Sequence, residues 1–193
     1  SKAEMEIDMD DLDHSTRSKW LAATVSPRPL ALVSTRDGER ENVAPMTSLS
    51  VVSNSPPLIV MSLSQNRDAK KRDTYLNLVK NGECELQFLC PTKDAAMDVD
   101  LASTPTEASE WDLLSCDGPI HPLATVIMKC KLVEDYPLPE GAVARLVVLK
   151  VVKMIVPSEI PPREGLSLLC QHGVDRLTPS PEDWGHVATH YRS

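Results

Sequence analysis

Glycine is scarce in this sequence, with seven among 193 residues, and none stands in a G-x-G-x-x-G or G-x-x-x-x-G-K pattern. That excludes the glycine-rich turns by which Rossmann and P-loop folds cradle phosphates. The pattern G-x-S-x-G is missing too, so a nucleophile elbow has no support. Five cysteines occur, at 84, 90, 116, 130 and 170, and no two make a C-x-x-C pair. An odd count without paired spacing reads as free thiols in a reducing compartment, not as a disulfide framework. No apolar run approaches the length that spans a bilayer, and residues 1–13 are acidic without an apolar signal segment. A cytoplasmic protein is the expectation.

Positive charge is also short. Twenty Lys and Arg face twenty-eight Asp and Glu, for a formal charge of −8 and a pI near 5.1. A broad nucleic-acid or anionic-membrane surface needs the opposite sign, so neither partner is expected. The length fits one domain with a core of its own, residues 14–193, preceded by an N-terminal arm at 1–13.

The most informative stretch is 24–63. Two β runs, 29–35 and 58–63, are joined by Arg36-Asp37-Gly38-Glu39 and a hydroxyl-rich segment. Asp-Gly between apolar runs favours the φ > 0 turns that reverse a strand. Thr47, Ser48, Ser50, Ser53 and Ser55 then place five hydroxyls within nine residues. They suit a polar ligand lying along a sheet edge, or a loop that satisfies its own backbone. After Ser62, Leu63 and Ser64 come four cations in six positions, Arg67, Lys70, Lys71 and Arg72, just before Thr74. Cations beside a hydroxyl at a helix start suit a phosphate; a solvated basic loop is the plainer alternative.

The remaining pattern is strand and helix in alternation. Residues 14–23 read as a short helix, capped by Ser15 and anchored by Trp20 and Leu21. Tyr75, Leu78 and Val79 lie on one helical face that ends at Asn81-Gly82. Residues 83–90 alternate as a half-buried strand, 91–100 read as a second helix, and 101–119 as an irregular connection. Strands return at 125–133 and 143–156, giving five or six with one further run near Val51. Cys170-Gln171-His172 and the pair His186 and His190 have ligand-like spacing. The pair lacks the glutamate of a metalloprotease helix, so no metal site is expected.

Five elements occur in a telling order: Ser26-Pro27-Arg28-Pro29, Val33-Ser34-Thr35-Arg36, Asn42-Val43-Ala44-Pro45-Met46-Thr47, Ser55-Pro56-Pro57-Leu58 and Arg72-Asp73-Thr74-Tyr75-Leu76-Asn77. In this the chain resembles the flavin reductase-like, FMN-binding split-barrel family, clearly over residues 8–89, faintly over 124–156 and poorly in the last thirty. The resemblance implies a mainly β fold, a six-stranded antiparallel Greek-key split β-barrel with peripheral helices. It implies FMN, in preference to FAD, as cofactor, and a homodimer with each flavin near the interface. Thr47, Ser48, Leu49 and Ser50 would lie beside the isoalloxazine, and Ser62, Leu63 and Ser64 near the ribityl chain. Arg72 and Thr74 would hold the phosphate, with Arg28 a second candidate for that anion. The connection 101–119 would lie over the ligand side and set substrate choice.

The sequence departs from similar proteins in two places. Met46, Ser48 and Leu49 stand where aromatics are usual. Leu149-Lys150-Val151, with Ala144 or Arg145 upstream, stands where a Gly-Glu-Val run and a histidine are common. Three functions therefore remain open. One is an NAD(P)H-dependent flavin reductase or flavin-dependent oxidoreductase, with hydride transfer at flavin N5 and no obligatory acid or base. Another is a flavin carrier or electron-transfer protein without turnover. The last is a scaffold that has lost flavin and binds another ligand.

Overall fold

The computed structural model describes residues 5–66, 70–104, 106, 109–114, 116–180 and 182, apart from the side chains of residues 70–72. The arm carries a single 3₁₀ turn, Met9–Asp11, and leads into α1, His14–Thr24. Asp13, not Ser15, caps α1: its carboxylate accepts from Thr16 N at 2.8 Å. A carboxylate at the N-cap also meets the positive end of the helix dipole. No residue of α1 is buried, and Trp20 and Leu21 are 52% and 58% exposed. The expected anchoring of those two side chains to the body is absent among the described residues, which leave both more than half exposed.

Among the described residues ten strands follow: β1 (Arg28–Pro29), β2 (Ala31–Asp37), β3 (Arg40–Met46), β4 (Leu49–Asn54), β5 (Pro57–Ser64), β6 (Glu83–Leu89), β7 (Ala124–Pro137), β8 (Ala144–Ile155), β9 (Cys170–His172) and β10 (Arg176–Thr178). Helices α2 (Lys70–Asn81) and α3 (Lys93–Ala102) flank β6. The expected reversal forms one residue further on, with Gly38 at φ 63° and Glu39 as the two turn residues and Asp37 already paired with Arg40. Its second strand, β3, was unread in the sequence. Arg40, Glu41 and Asn42 hid the pattern, and Pro45 argues against a central strand. The strand is tolerated because β3 is an edge.

Seven strands form one antiparallel sheet in the order β3-β2-β6-β7-β8-β5-β4, one more than expected. This order puts β3 and β4 at opposite edges, yet Met46 and Leu49 are separated only by Thr47 and Ser48. The sheet must therefore curl until its edges meet, a barrel with an open seam. The interior confirms the curl. Val33, Met46, Met61, Leu63, Leu86, Val147 and Leu149, drawn from five strands, pack in one buried cluster with Leu78 of α2. Burial of so much apolar surface is the main stabilising term. A second cluster on the outside of β2 and β3 gathers Leu32, Val43, Val99, Trp111 and Leu169.

The tail adds a separate three-stranded sheet, β1-β9-β10. Strands of two or three residues carry too little periodicity to be read in a sequence. No helix among the described residues is long and apolar enough to cross a membrane. Arg67 of the cation cluster and the tail residues Trp184, His186 and His190 lie outside the described residues.

Candidate functional site

The link between β3 and β4 forms one side of a cleft of about 750 Å³. Thr47, Ser48, Leu49 and Ser50 line it together with Arg28 of β1. Helix α1 contributes His14, Arg17, Ser18 and Leu21. The four recur at i, i+3, i+4 and i+7 and so share one face of the helix; of them the sequence reading singles out Leu21 alone, as an anchor to the body. No carboxylate is among the lining residues, whereas Arg17, Arg28 and His14 all are. In a chain of net charge −8 this is a local reversal of sign, and it suits an anionic ligand.

Several side chains around the cleft are held by specific bonds. Ser48 Oγ donates to Ser62 O at 2.9 Å, and Ser62 N donates to Ser48 O at 3.3 Å. These bonds fasten the seam to β5 and bring Ser62 beside the 47–50 link. Arg28 Nη2 donates to Gly173 O at 3.0 Å, while Gly173 N donates to Ser26 Oγ at 2.8 Å. The tail hairpin is thus clamped to β1 at the cleft. Arg28 Nε is buried and has no partner. A buried unpaired guanidinium N–H is costly, and a ligand acceptor is one way to satisfy it.

The other expected site residues fall elsewhere. Leu63 points into the barrel core and has no exposed surface, backbone included, so it presents nothing to a ligand in this conformation. Ser64 ends β5, and its Oγ accepts from Asn66 N at 3.1 Å. Thr74 is completely buried in α2, so its hydroxyl meets no open surface in this conformation. The side chain of Arg72 lies outside the described residues, though its backbone belongs to the first turn of α2.

The connection 103–123 packs away from this cleft. None of its described residues lines it. Glu110 accepts from Val43 N at 3.4 Å and, with the Asn42 amide turned, from the Asn42 side-chain N at 2.6 Å. Gln87 donates to Ser34 Oγ and to Pro119 O, and accepts from His121 N at 2.8 Å. The alternation of β6 turns Gln87 to the outer, polar face of the strand, but the connection covers it and it is fully buried.

Beneath the connection, Asp98, Cys116 and His121 bring three ligand-type atoms within 4.8 Å of one another. Both imidazole nitrogens of His121 are already in use. Leu123 N donates to Nδ1 at 3.0 Å, which fixes the proton on Nε2 and makes Nε2 the donor to Asp98 Oδ2 at 2.6 Å. Burial, then the nearby Asp98 and Asp117 carboxylates, push the Cys116 thiol up and away from the thiolate a metal requires. The arrangement clamps the connection onto α3.

Comparison with known proteins agrees with this architecture. The flavin reductase like domain matches residues 24–177. The chain belongs to that family. The match extends well past the stretch where the motifs are clearest, into the tail hairpin at β10. Curated relatives are an uncharacterized protein YwrF of Bacillus subtilis, 36% identical over 96 residues, covering 49% of this chain and 44% of the relative. An uncharacterized Deinococcus radiodurans protein is 31% identical over 113 residues, covering 56% of this chain and 50% of the relative. The alignments thus span about half the length of these relatives. Among solved structures, nitrilotriacetate monooxygenase component B from Bacillus cereus superposes with a TM-score of 0.80 at 21% identity, covering 96% of this chain and all of that one. An FMN-binding protein from Thermus thermophilus with bound 1-cyclohex-2-enone superposes at 0.69 with 22% identity, over 85% of this chain and 93% of that one. At such identities the likeness establishes the split-barrel fold.

Proposed function

We propose that this flavin reductase-like chain binds FMN in the cleft between α1 and residues 47–50 and serves as an NAD(P)H-dependent oxidoreductase. One observation carries the reading. The cleft is lined by Arg17 and Arg28 and by no carboxylate among the described residues. Its size falls within the roughly 300–1,000 Å³ of ordinary ligand pockets.

The residues proposed to hold the cofactor divide by chemistry. Backbone and hydroxyl groups of Thr47, Ser48, Leu49 and Ser50 face the polar edge of the ring, with the Ser48 to Ser62 bonds keeping that link in place. Ser62 and Ser64 offer the end of β5 to the ribityl chain, and Leu63 between them seats that strand end on the core. Arg72 in the first turn of α2 is assigned to the phosphate, together with Thr74 just after it once a shift of α2 uncovers that buried hydroxyl, with Arg28 as the competing anion contact. When bound, the flavin supplies hydride transfer at N5 from NAD(P)H to an acceptor. The chain's own task is orientation, leaving one ring face open for a nicotinamide that binds transiently.

Leu21 of α1 and Val25, the residue that caps it, line the cleft and are exposed, as are Trp20 of α1 and Val51 and Val52 of β4. Covering them by a second copy is the proposed homodimer, which places the flavin near the interface. Five free cysteines support a cytoplasmic location. A carrier without turnover is the second reading, favoured by one feature. Arg145, near the position where similar proteins keep a histidine, is engaged with Asp135 at 2.7 Å and lies over the Tyr75 ring. A yellow purified protein that bleaches with NADH or NADPH without oxygen is the expected result. A yellow protein that neither nucleotide bleaches leaves the carrier, and a colourless one that takes up no added FMN overturns both.

A further inference from the structure

Cys84 of β6 and Cys130 of β7 are direct cross-strand partners in the barrel. Both are buried, at 5% and 2% exposure, and both belong to the interior cluster. Leu132 N donates to Gly82 O at 2.9 Å two residues along the same ladder. Alternation of the antiparallel pattern then makes Cys84 and Cys130 a hydrogen-bonded pair, with Cα atoms about 5.5 Å apart. That separation lies inside the range of roughly 4.4–6.8 Å that a disulfide spans. The β7 to β8 pairing shifts register at Lys129 and Cys130, a bulge that frees β7 to adjust locally. A separate cleft of about 670 Å³, sharing no lining residue with the one at residues 47–50, runs over the outer face of β6 and β7, where Glu83, Glu85, Lys129 and Lys131 line it together with both cysteines. The thiols themselves face the interior, so a small oxidant reaches them through local opening of the bulged ladder.

We propose that Cys84 and Cys130 form a reversible oxidation site, a dithiol that hydroperoxides convert to an intramolecular disulfide linking β6 to β7. With hydrogen peroxide the balance is two thiols and one peroxide giving one disulfide and two waters. Cys130 sulfur attacks one peroxide oxygen as a thiolate and becomes a sulfenic acid, with hydroxide leaving and taking up the released proton. Cys84 sulfur then displaces water from the sulfenic acid, closing the S–S bond. The order follows from the environments. The adjoining Cys130 thiol, then burial, push the Cys84 thiol well up, while hydrogen bonding from Cys84 draws Cys130 down. Cys130 is thus the better nucleophile and Cys84 the resolving thiol. A bond across a hydrogen-bonded strand pair is less relaxed than one at the closer pairs, which favours ready reduction. The site uses no flavin, so it stands or falls independently of the cofactor reading.

The test uses the full chain carrying Cys90→Ser, Cys116→Ser and Cys170→Ser, which leaves only the pair. The folded, reduced protein is treated with equimolar hydrogen peroxide, and circular dichroism verifies that it stays folded. The expected result is the loss of two hydrogens by intact mass, a Cys84 to Cys130 cross-linked peptide in an unreduced digest, and full reversal by dithiothreitol. Adding Cys84→Ser is expected to trap sulfenic acid on Cys130. Two free thiols after treatment, or gain of oxygen without a cross-link, overturns the proposal. In the unsubstituted chain, a cross-link that prefers Cys90, Cys116 or Cys170 does the same.

Discussion

His121 Nε2 donates to Asp98 Oδ2 at 2.6 Å with both side chains essentially out of solvent. The bond joins the connection to α3, and Leu123 N fixes the tautomer from the other side of the ring. Removing one partner of such a pair strands the other without water. Asp98→Ala and His121→Ala are each expected to cost about 3–5 kcal/mol in urea unfolding. Asp98→Asn keeps an acceptor and is expected to cost less. Equal losses for Asn and Ala would mean that the carboxylate charge itself, not the acceptor, is what matters.

Gly118 has no room for a side chain. A Cβ there would stand 2.6 Å from two ring atoms of Trp111, which is itself buried in the second cluster. Gly118→Ala is expected to lower stability by about 1–3 kcal/mol, the usual cost of overpacking, as a shift in denaturation midpoint. The double variant Gly118→Ala, Trp111→Phe should recover part of that loss. No recovery would show that the backbone, not the indole, sets the limit.

At the cleft, Arg28→Ala is expected to weaken FMN binding about tenfold or more, since a charge-assisted bond contributes roughly 1.5–3 kcal/mol. Flavin titration by fluorescence quenching measures it. Arg72→Ala is expected to have a similar effect. If Arg72→Ala leaves affinity unchanged while Arg28→Ala reduces it, the phosphate belongs in the cation-lined cleft and not at α2. Thr74→Ala reports on a buried hydroxyl, so its loss should appear first in stability and only then in flavin retention.

Alkaline pH is expected to act through Tyr75. Its hydroxyl donates to Asp135 Oδ2 at 2.6 Å, and burial, then that carboxylate, raise the phenol above its ordinary value of 10.0. Arg145, bound to the same carboxylate, opposes this rise. A folded-state value above the unfolded one means that the folded protein holds the proton longer. The resulting stability is present below about pH 10 and is lost as pH rises through the folded value. Thermal midpoints of Tyr75→Phe should therefore fall less steeply than the parent above about pH 10. Parallel curves would remove Tyr75 from the account.

Local rules carried much of the fold into the sequence. The reversal at Gly38, the Gly82 stop of α2 and the long β7 and β8 runs obey spacing rules that need no partner, so they were legible. The five ordered motifs likewise identified the family whose domain matches residues 24–177. Strand β3, the burial of Gln87, the solvent-facing α1 and the tail hairpin were decided by tertiary contacts. An edge position admits Pro45, a covering loop buries Gln87, and Arg28 recruits Gly173 from the far end of the chain. For the same reason the sequence named residues 47–50 and Arg28 but not the Arg17 that joins them. Residues on α1 share that cleft only because a curled sheet brings its seam beneath the helix, and closure of a sheet is a property of all its strands together.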